Sequence, residues 1–362
     1  MIAVVEKNWK KLISLIVIIV APIVLYAATN VVSQTEVSEF SQPKEIKSES
    51  GTFWYHPHKH GMKEQSFYLD GESKIYYEKI TPDIIKQDES IVLIHGGAHT
   101  GSCYKTTPDG RDGWAYYFAE KGFEVFIPDW PGSGRSGYVP LEKINGKLVV
   151  DGLLRLIEKI DGKVILVTHS MSGPYGWKLA ELSNNKVVKV IAVAPGPMGN
   201  IQKISEIIKE SDKELTINFL GREFNISLDN PFVCSEDFVN RKMIGENSKF
   251  FPRNYTKNYF SSIQTIAPYL LYERFNTKGS QLRIDDISKL KTIKFLVLTG
   301  TDDLDHPREL DEQIVTFLKD NGVNADFIYL GDIGIVGNGH MYMLEKNSTQ
   351  IADVIYDWVL NN

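Results

Sequence analysis

Cysteine is almost absent from the 362-residue chain; only Cys103 and Cys234 occur. Two thiols cannot staple a small disulfide fold, so stability must come from a hydrophobic core. They leave two readings open: one disulfide in an oxidising compartment, or two buried free thiols. Blocks of basic residues are missing and the formal net charge is −6, which argues against nucleic acid as a partner. No internal repeat and no low-complexity tract occurs. Long apolar runs are also missing, with one exception at the start. Leu12 to Ala28 is interrupted only by Ser14 and Pro22, and Lys7, Lys10 and Lys11 precede it.

Basic residues before such a run read as a signal peptide or as a retained N-terminal membrane anchor. The run lies at the short limit of a spanning helix, ~17–25 residues, and bulky Tyr26 is poor for cleavage after Ala28. With the lysines inside, either reading places the rest outside the cytoplasm. It would be secreted or periplasmic, or held on the outer face of the membrane by residues 12–28. Residues 30–50, rich in Ser, Gln, Glu and Lys and holding Pro43, read as a flexible tether. The whole chain, of which 51–362 is the remainder, is 43% hydrophobic and 24% charged. That suits one large α/β domain with a sizeable core.

The order of elements is regular. Phe67–Leu69 and Ile75–Lys79 alternate around Asp70-Gly71 and predict a hairpin. Short continuous apolar runs follow at Ile91–Ile94, Phe123–Ile127, Val164–Val167, Val187–Val193, Lys294–Leu298 and Ala325–Tyr329. Such runs fit strands buried on both faces of a parallel sheet. Helical patterns lie between or after them, at Trp114–Lys121, Gly152–Ile160, Tyr175–Leu182, Glu309–Asn321 and Thr349–Leu360. Alternating strand and helix implies a mostly parallel central sheet with helices on both faces, and a ligand site at the carboxyl ends of the strands. The rhythm breaks from about 199 to 291. That stretch holds a charged helical pattern, Ile201–Glu210, and an aromatic-rich section, "FFPRNYTKNYFSSIQTIAPYLLYERF". It reads as a helical cap insertion over the site.

The run Val164–Val167 enters "THSMSGPYG". A serine hydroxyl is a poor nucleophile unless a base takes its proton and a sharp strand-to-helix turn holds it out. Ser170 has that context, although Thr168 and Ser172 stand where G-x-S-x-G has glycines. Two N–H donors should hold an oxyanion. One is expected from Met171, after the serine. The other is expected from Gly97, in "HGGAHTG" after the run Ile91–Ile94. Among eight histidines, His340 alone follows the last strand, in the pliant loop "GNGH". It is the candidate base. Asp303, in "GTDDLDHP", fits the chain order Ser, acid, His and is the candidate acid. A second role for Asp303 or Asp305, capping the helix near Pro307, stays open.

These motifs resemble the α/β-hydrolase superfamily, and within it the group around the bacterial serine esterase 713 (Alcaligenes). The likeness rests on 95–114, "D-x-x-G-x-GRS" at 129–136, "HS-x-SG" at 169–173 and the stretch 337–358. The resemblance implies Ser170 as nucleophile, His340 as base, and Gly97 and Met171 as oxyanion donors. It also implies a glutamate after the strand that follows the nucleophile helix. Ala194 occupies that position, so the acid must be Asp303 or be missing.

The expected activity is serine-dependent hydrolysis of a small or medium ester, with an aromatic or apolar group. Acyl transfer on the same fold and a non-catalytic binding protein are the alternatives. No cofactor and no metal are expected. His56, His58 and His60 alternate and could share one face toward Zn²⁺ or Cu²⁺. Pro57 disfavours a regular strand there, and the segment reads as a polar surface loop.

Overall fold

The computed structural model describes residues 44–48, 51–57, 61–219 and 221–362. The apolar run 12–28, most of the expected tether, and His58 and His60 lie outside them. The tether's last described residues are not open chain. Lys44–Ser48 (β1) pairs antiparallel with Gly51–Pro57 (β2).

Lys63–Leu69 (β3) and Ile75–Thr81 (β4) form the expected hairpin, with Leu69 opposite Ile75. Six strands then build the parallel part. They are Glu89–Ile94 (β5), Val125–Pro128 (β6), Lys163–His169 (β7), Val187–Val193 (β8), Lys294–Thr299 (β12) and Asn324–Tyr329 (β13). The order across the sheet is β1-β2-β3-β4-β6-β5-β7-β8-β12-β13. The four N-terminal strands are antiparallel and the six others parallel. Ile91–Ile94, Val164–His169 and Phe295–Thr299 are buried throughout, as a sheet covered on both faces requires.

The covering helices are Trp114–Glu120 (α1), Gly146–Lys159 (α2), Gly173–Leu182 (α3), Arg308–Asp320 (α6) and Ser348–Asn361 (α7). α1 packs on α7 and α2 packs on α3, giving a helical layer on each face. α2 begins earlier than its apolar period suggests, because the Asn145 side chain accepts from Leu148 N–H at 2.9 Å and caps it.

Register sets the site. Ile94 faces Thr168, His169 faces Val193, Val193 faces Leu298, and Thr299 faces Tyr329. The loops that follow β5, β7, β8, β12 and β13 therefore leave one edge side by side.

Between β8 and β12 the chain leaves the sheet, and this insertion is only partly helical. Glu206–Glu210 (β9), Glu214–Phe219 (β10) and Arg222–Ser227 (β11) form a separate antiparallel sheet with β10 in the centre. The helix expected over Ile201–Glu210 is thus an edge strand in its second half. Leu215 and Ile217 of β10 bury with Ile226 and Phe275, and Ile207 packs on them. This cross-strand packing outweighs the helical spacing of the isoleucines. The aromatic section does form helices, Thr256–Ser262 (α4) and Pro268–Arg274 (α5).

Candidate active site

Ser170 sits between β7 and α3 with a φ of 55°. A non-glycine residue in the left-handed region is strained by about 1–3 kcal/mol, and its surroundings hold it there. Ser172 Oγ accepts from His169 N–H at 2.8 Å, with Ile94 O at 3.1 Å and His169 O at 2.9 Å as acceptors for its proton. Gly196 N–H donates to Ser170 O at 2.8 Å. The missing glycines are offset by neighbours. A Cβ at Gly173 would run into the Gly196 carbonyl, and one at Gly176 would stand 2.7 Å from Thr168 Cγ2. Gly176 thus makes the room that Thr168 fills.

His340 Nε2 lies 2.9 Å from Ser170 Oγ, and His340 Nδ1 lies 2.6 Å from Asp303 Oδ2. The structure therefore brings together the serine, histidine and aspartate singled out in the sequence. Asp303 Oδ1 accepts from Asp305 N–H at 3.2 Å, and Tyr342 O–H donates to Oδ2 at 3.4 Å. Neither Asp303 nor Asp305 caps α6, whose N-cap is Pro307 without a side-chain bond. Burial works to raise the Asp303 carboxyl, but the charges of His340 and His306 and the His340 hydrogen bond hold it below its ordinary value. Asp302 accepts from Thr301 O–H at 2.6 Å instead. Ala194 is fully buried, and its N–H donates to Leu298 O at 2.9 Å.

The His340 loop is fastened from behind. Glu345 is buried and accepts from Gly339 N–H and Ser248 O–H, at 2.8 and 2.6 Å, and from the Asn338 side chain. His169 Nε2 lies 3.0 Å from His340 O. That carbonyl can only accept, so the His169 proton is on Nε2, and Nδ1 is left buried without a partner. Burial holds His169 well below the usual imidazole value, so it stays neutral.

Gly97 and Met171 both line the cavity at Ser170. Two histidines that the sequence assigned only to this loop prove to aim it. His95 Nδ1 donates to Gly96 O at 2.8 Å, and its Nε2 accepts from Trp130 N–H at 3.2 Å. In a trans peptide the N–H points opposite to the C=O, so fixing Gly96 O fixes the direction of Gly97 N–H. His99 Nδ1 donates to Gly97 O at 2.7 Å and its Nε2 accepts from Tyr259 O–H at 2.8 Å. Burial lowers His95 to about 4 and His99 to about 3, which keeps both neutral and each in one tautomer. Their signal in the sequence is only their place beside Gly96-Gly97.

The cavity has a volume of about 240 Å³. Phe219, Phe224, Phe238, Ile266, Leu271 and Phe275 of the insertion give it an apolar wall. Asp303, His306 and His340 could together offer atoms to a cation, all within 4.8 Å of one another. Those atoms are already engaged, Asp303 with His340 and His306 Nδ1 with Asp311 at 3.1 Å. A cation would break the bond that orients His340. Of the alternating histidines His56 lies on β2. Cys103 and Cys234 are buried and free, which decides against the disulfide.

A mostly parallel sheet whose serine turn, glycine loop after β5 and histidine loop emerge at one edge defines an α/β-hydrolase. The chain belongs to the alpha/beta hydrolase family, whose family model matches residues 91–354, as the sequence motifs suggested. It is 25% identical over 353 residues to "Probable secreted lipase phiG" of a fungal species (strain ATCC 74256), covering 81% of this chain and 88% of that protein. A shorter match, 27% over 120 residues, is to the 2-hydroxy-6-oxo-6-phenylhexa-2,4-dienoate hydrolase of Burkholderia cepacia, covering 31% and 38%. Among solved structures, a novel bacterial esterase is similar at 18% identity with a TM-score of 0.51, covering 89% of this chain and 94% of that one. A serine hydrolase involved in carbazole degradation, the CarC enzyme, is similar at 14% identity with a TM-score of 0.55, covering 82% and 99%. At such identities the solved structures speak to the fold alone.

Proposed function

We propose that this protein is a serine-dependent carboxylic ester hydrolase working through an acyl-enzyme. The observation that carries the reading is the unbroken chain Asp303–His340–Ser170, with links of 2.6 and 2.9 Å. Ser170 Oγ attacks the ester carbon while His340 Nε2 takes its proton. The N–H groups of Gly97 and Met171 hold the oxyanion. His340 then protonates the departing alkoxide, and the acyl group stays on Ser170. Water, deprotonated by His340, attacks the acyl carbon and frees the acid. Asp303 keeps the Nδ1 proton in place and stabilises the imidazolium.

The apolar wall and a volume of about 240 Å³ favour a small or medium ester with an apolar group. The fungal relative's name contains the words secreted lipase, which supports an ester substrate. Together with the lysines before Leu12 it also supports an extracytoplasmic protein. Among the described residues no helix is long and apolar enough to cross a membrane. The test is covalent labelling by a fluorophosphonate, with a panel of esters of graded acyl length. Labelling at Ser170 and turnover lost in Ser170→Ala are expected. Unlabelled Ser170 in folded protein would overturn the reading. Adding an alcohol and identifying the products distinguishes hydrolysis from acyl transfer.

A further inference from the structure

Arg274, the last residue of α5, lines the cavity beside Ser170 and His340. Its Nη1 is buried and has no hydrogen-bond partner, and among the described residues its guanidinium forms no ion pair. The residue as a whole is half-buried, arginine cannot shed its charge in a protein, and a sealed donor without a partner favours a ligand that supplies an acceptor. Burial pulls its pKa down, against the attraction of Asp305 and Asp311. The other cations nearby are differently placed. Lys242 is neutralised by Asp305 at 2.6 Å, and Arg222 is exposed. Among the described residues that line the cavity Asp305 is the one carboxylate, and Lys242 occupies it. Three cations and one anion thus face a space that is otherwise largely aromatic and aliphatic. The charge balance lacks an anion, and the planar fork of a guanidinium matches a carboxylate.

We propose that the cavity takes an ester bearing a free carboxylate on an apolar stem, such as a monoester of a dicarboxylic acid, and that Arg274 docks the carboxylate. The inference rests on the serine hydrolase reading and narrows its substrate class. It makes Arg274 a specificity-determining residue that does not touch the reacting atoms.

The test separates binding from turnover. Calorimetry on Ser170→Ala protein compares monomethyl glutarate with dimethyl glutarate. The monoacid should bind about tenfold tighter or better, as expected of a charge-assisted pair. Arg274→Met in the same background should abolish that preference, and Arg274→Lys should keep part of it. Equal binding of the two esters, or an unchanged preference in Arg274→Met, overturns the proposal. Should Arg274→Met fail to fold, Arg274→Lys decides, since an undiminished preference there counts against the fork. Fluorophosphonate labelling and turnover of the dimethyl ester by wild-type protein report on the hydrolase reading separately. Labelled, active enzyme without acid preference defeats only the carboxylate site. Unlabelled, inactive protein that still prefers the monoacid defeats only the hydrolase.

Discussion

Asp303→Asn removes one charge from the site and keeps the shape. The carboxylate is buried, with Oδ2 2.6 Å from His340 Nδ1. At a charge separation of about 4 Å and an effective dielectric of about 20, an aspartate and an imidazolium attract by about 4 kcal/mol. Losing that in the transition state slows turnover about a thousandfold. The substitution does more, because Asp305 N–H donates to Oδ1. The amide oxygen of the asparagine therefore belongs at the Oδ1 position, and its NH₂ then faces His340 Nδ1. That forces the proton of His340 onto Nε2, where it cannot accept from Ser170. With the wrong tautomer added, the loss in kcat approaches ~10⁴. The assay is kcat for a 4-nitrophenyl ester, with circular dichroism to confirm folding and Asp302→Asn as control. Asp302 bonds Thr301 and should lose little activity. A loss under about tenfold for Asp303→Asn, or equal losses for both variants, would refute the assignment of the acid.

Three further outcomes are expected. Glu273 accepts from Gly146 N–H at 2.6 Å, and burial raises its carboxyl to about 7 from 4.5. Its contribution to stability is present below the unfolded value and lost as pH rises through 7. Glu273→Gln should therefore raise the melting temperature by a few degrees at pH 8, about 2–3 kcal/mol, and the gain should vanish near pH 4.5; a gain independent of pH contradicts this. A Cβ at Gly96 would stand 2.7 Å from His169 Nδ1 and 3.1 Å from Ser170 Cβ. Gly96→Ala should therefore cut kcat at least about tenfold while the fold survives, and full activity would show that the turn yields easily. Burial raises the thiols of Cys103 and of Cys234, the latter to about 11. Neither should react with Ellman's reagent in native protein at pH 7.5, and both should react in denaturant; prompt native labelling would refute their burial.

The parallel strands were legible because burial on both faces leaves uninterrupted apolar runs, and Val187–Val193 has the same bounds in the sheet. Ser170, His340 and Asp303 were legible because each follows such a run. The insertion was harder to read. Ile204, Ile207 and Ile208 carry a helical spacing, and only the neighbouring β10 turns part of that stretch into a strand. The tasks of His95 and His99 were hidden for a similar reason. Each depends on which carbonyl comes within reach once β5 and its loop are in place. Arg274 gave no signal in the sequence, since an arginine is unremarkable until its lack of a partner can be seen.

Thr168 and Gly176 share one parcel of space, and this couples what each position can hold. With threonine at 168, an alanine at 176 meets Cγ2 at 2.7 Å; with glycine at 168 that obstacle is gone. The cost of a side chain at 176 therefore depends on which residue stands at 168. A search for active turns that insists on glycine at each customary place passes over this solution. Randomising the pair together reaches combinations that no library varying one position at a time can reach.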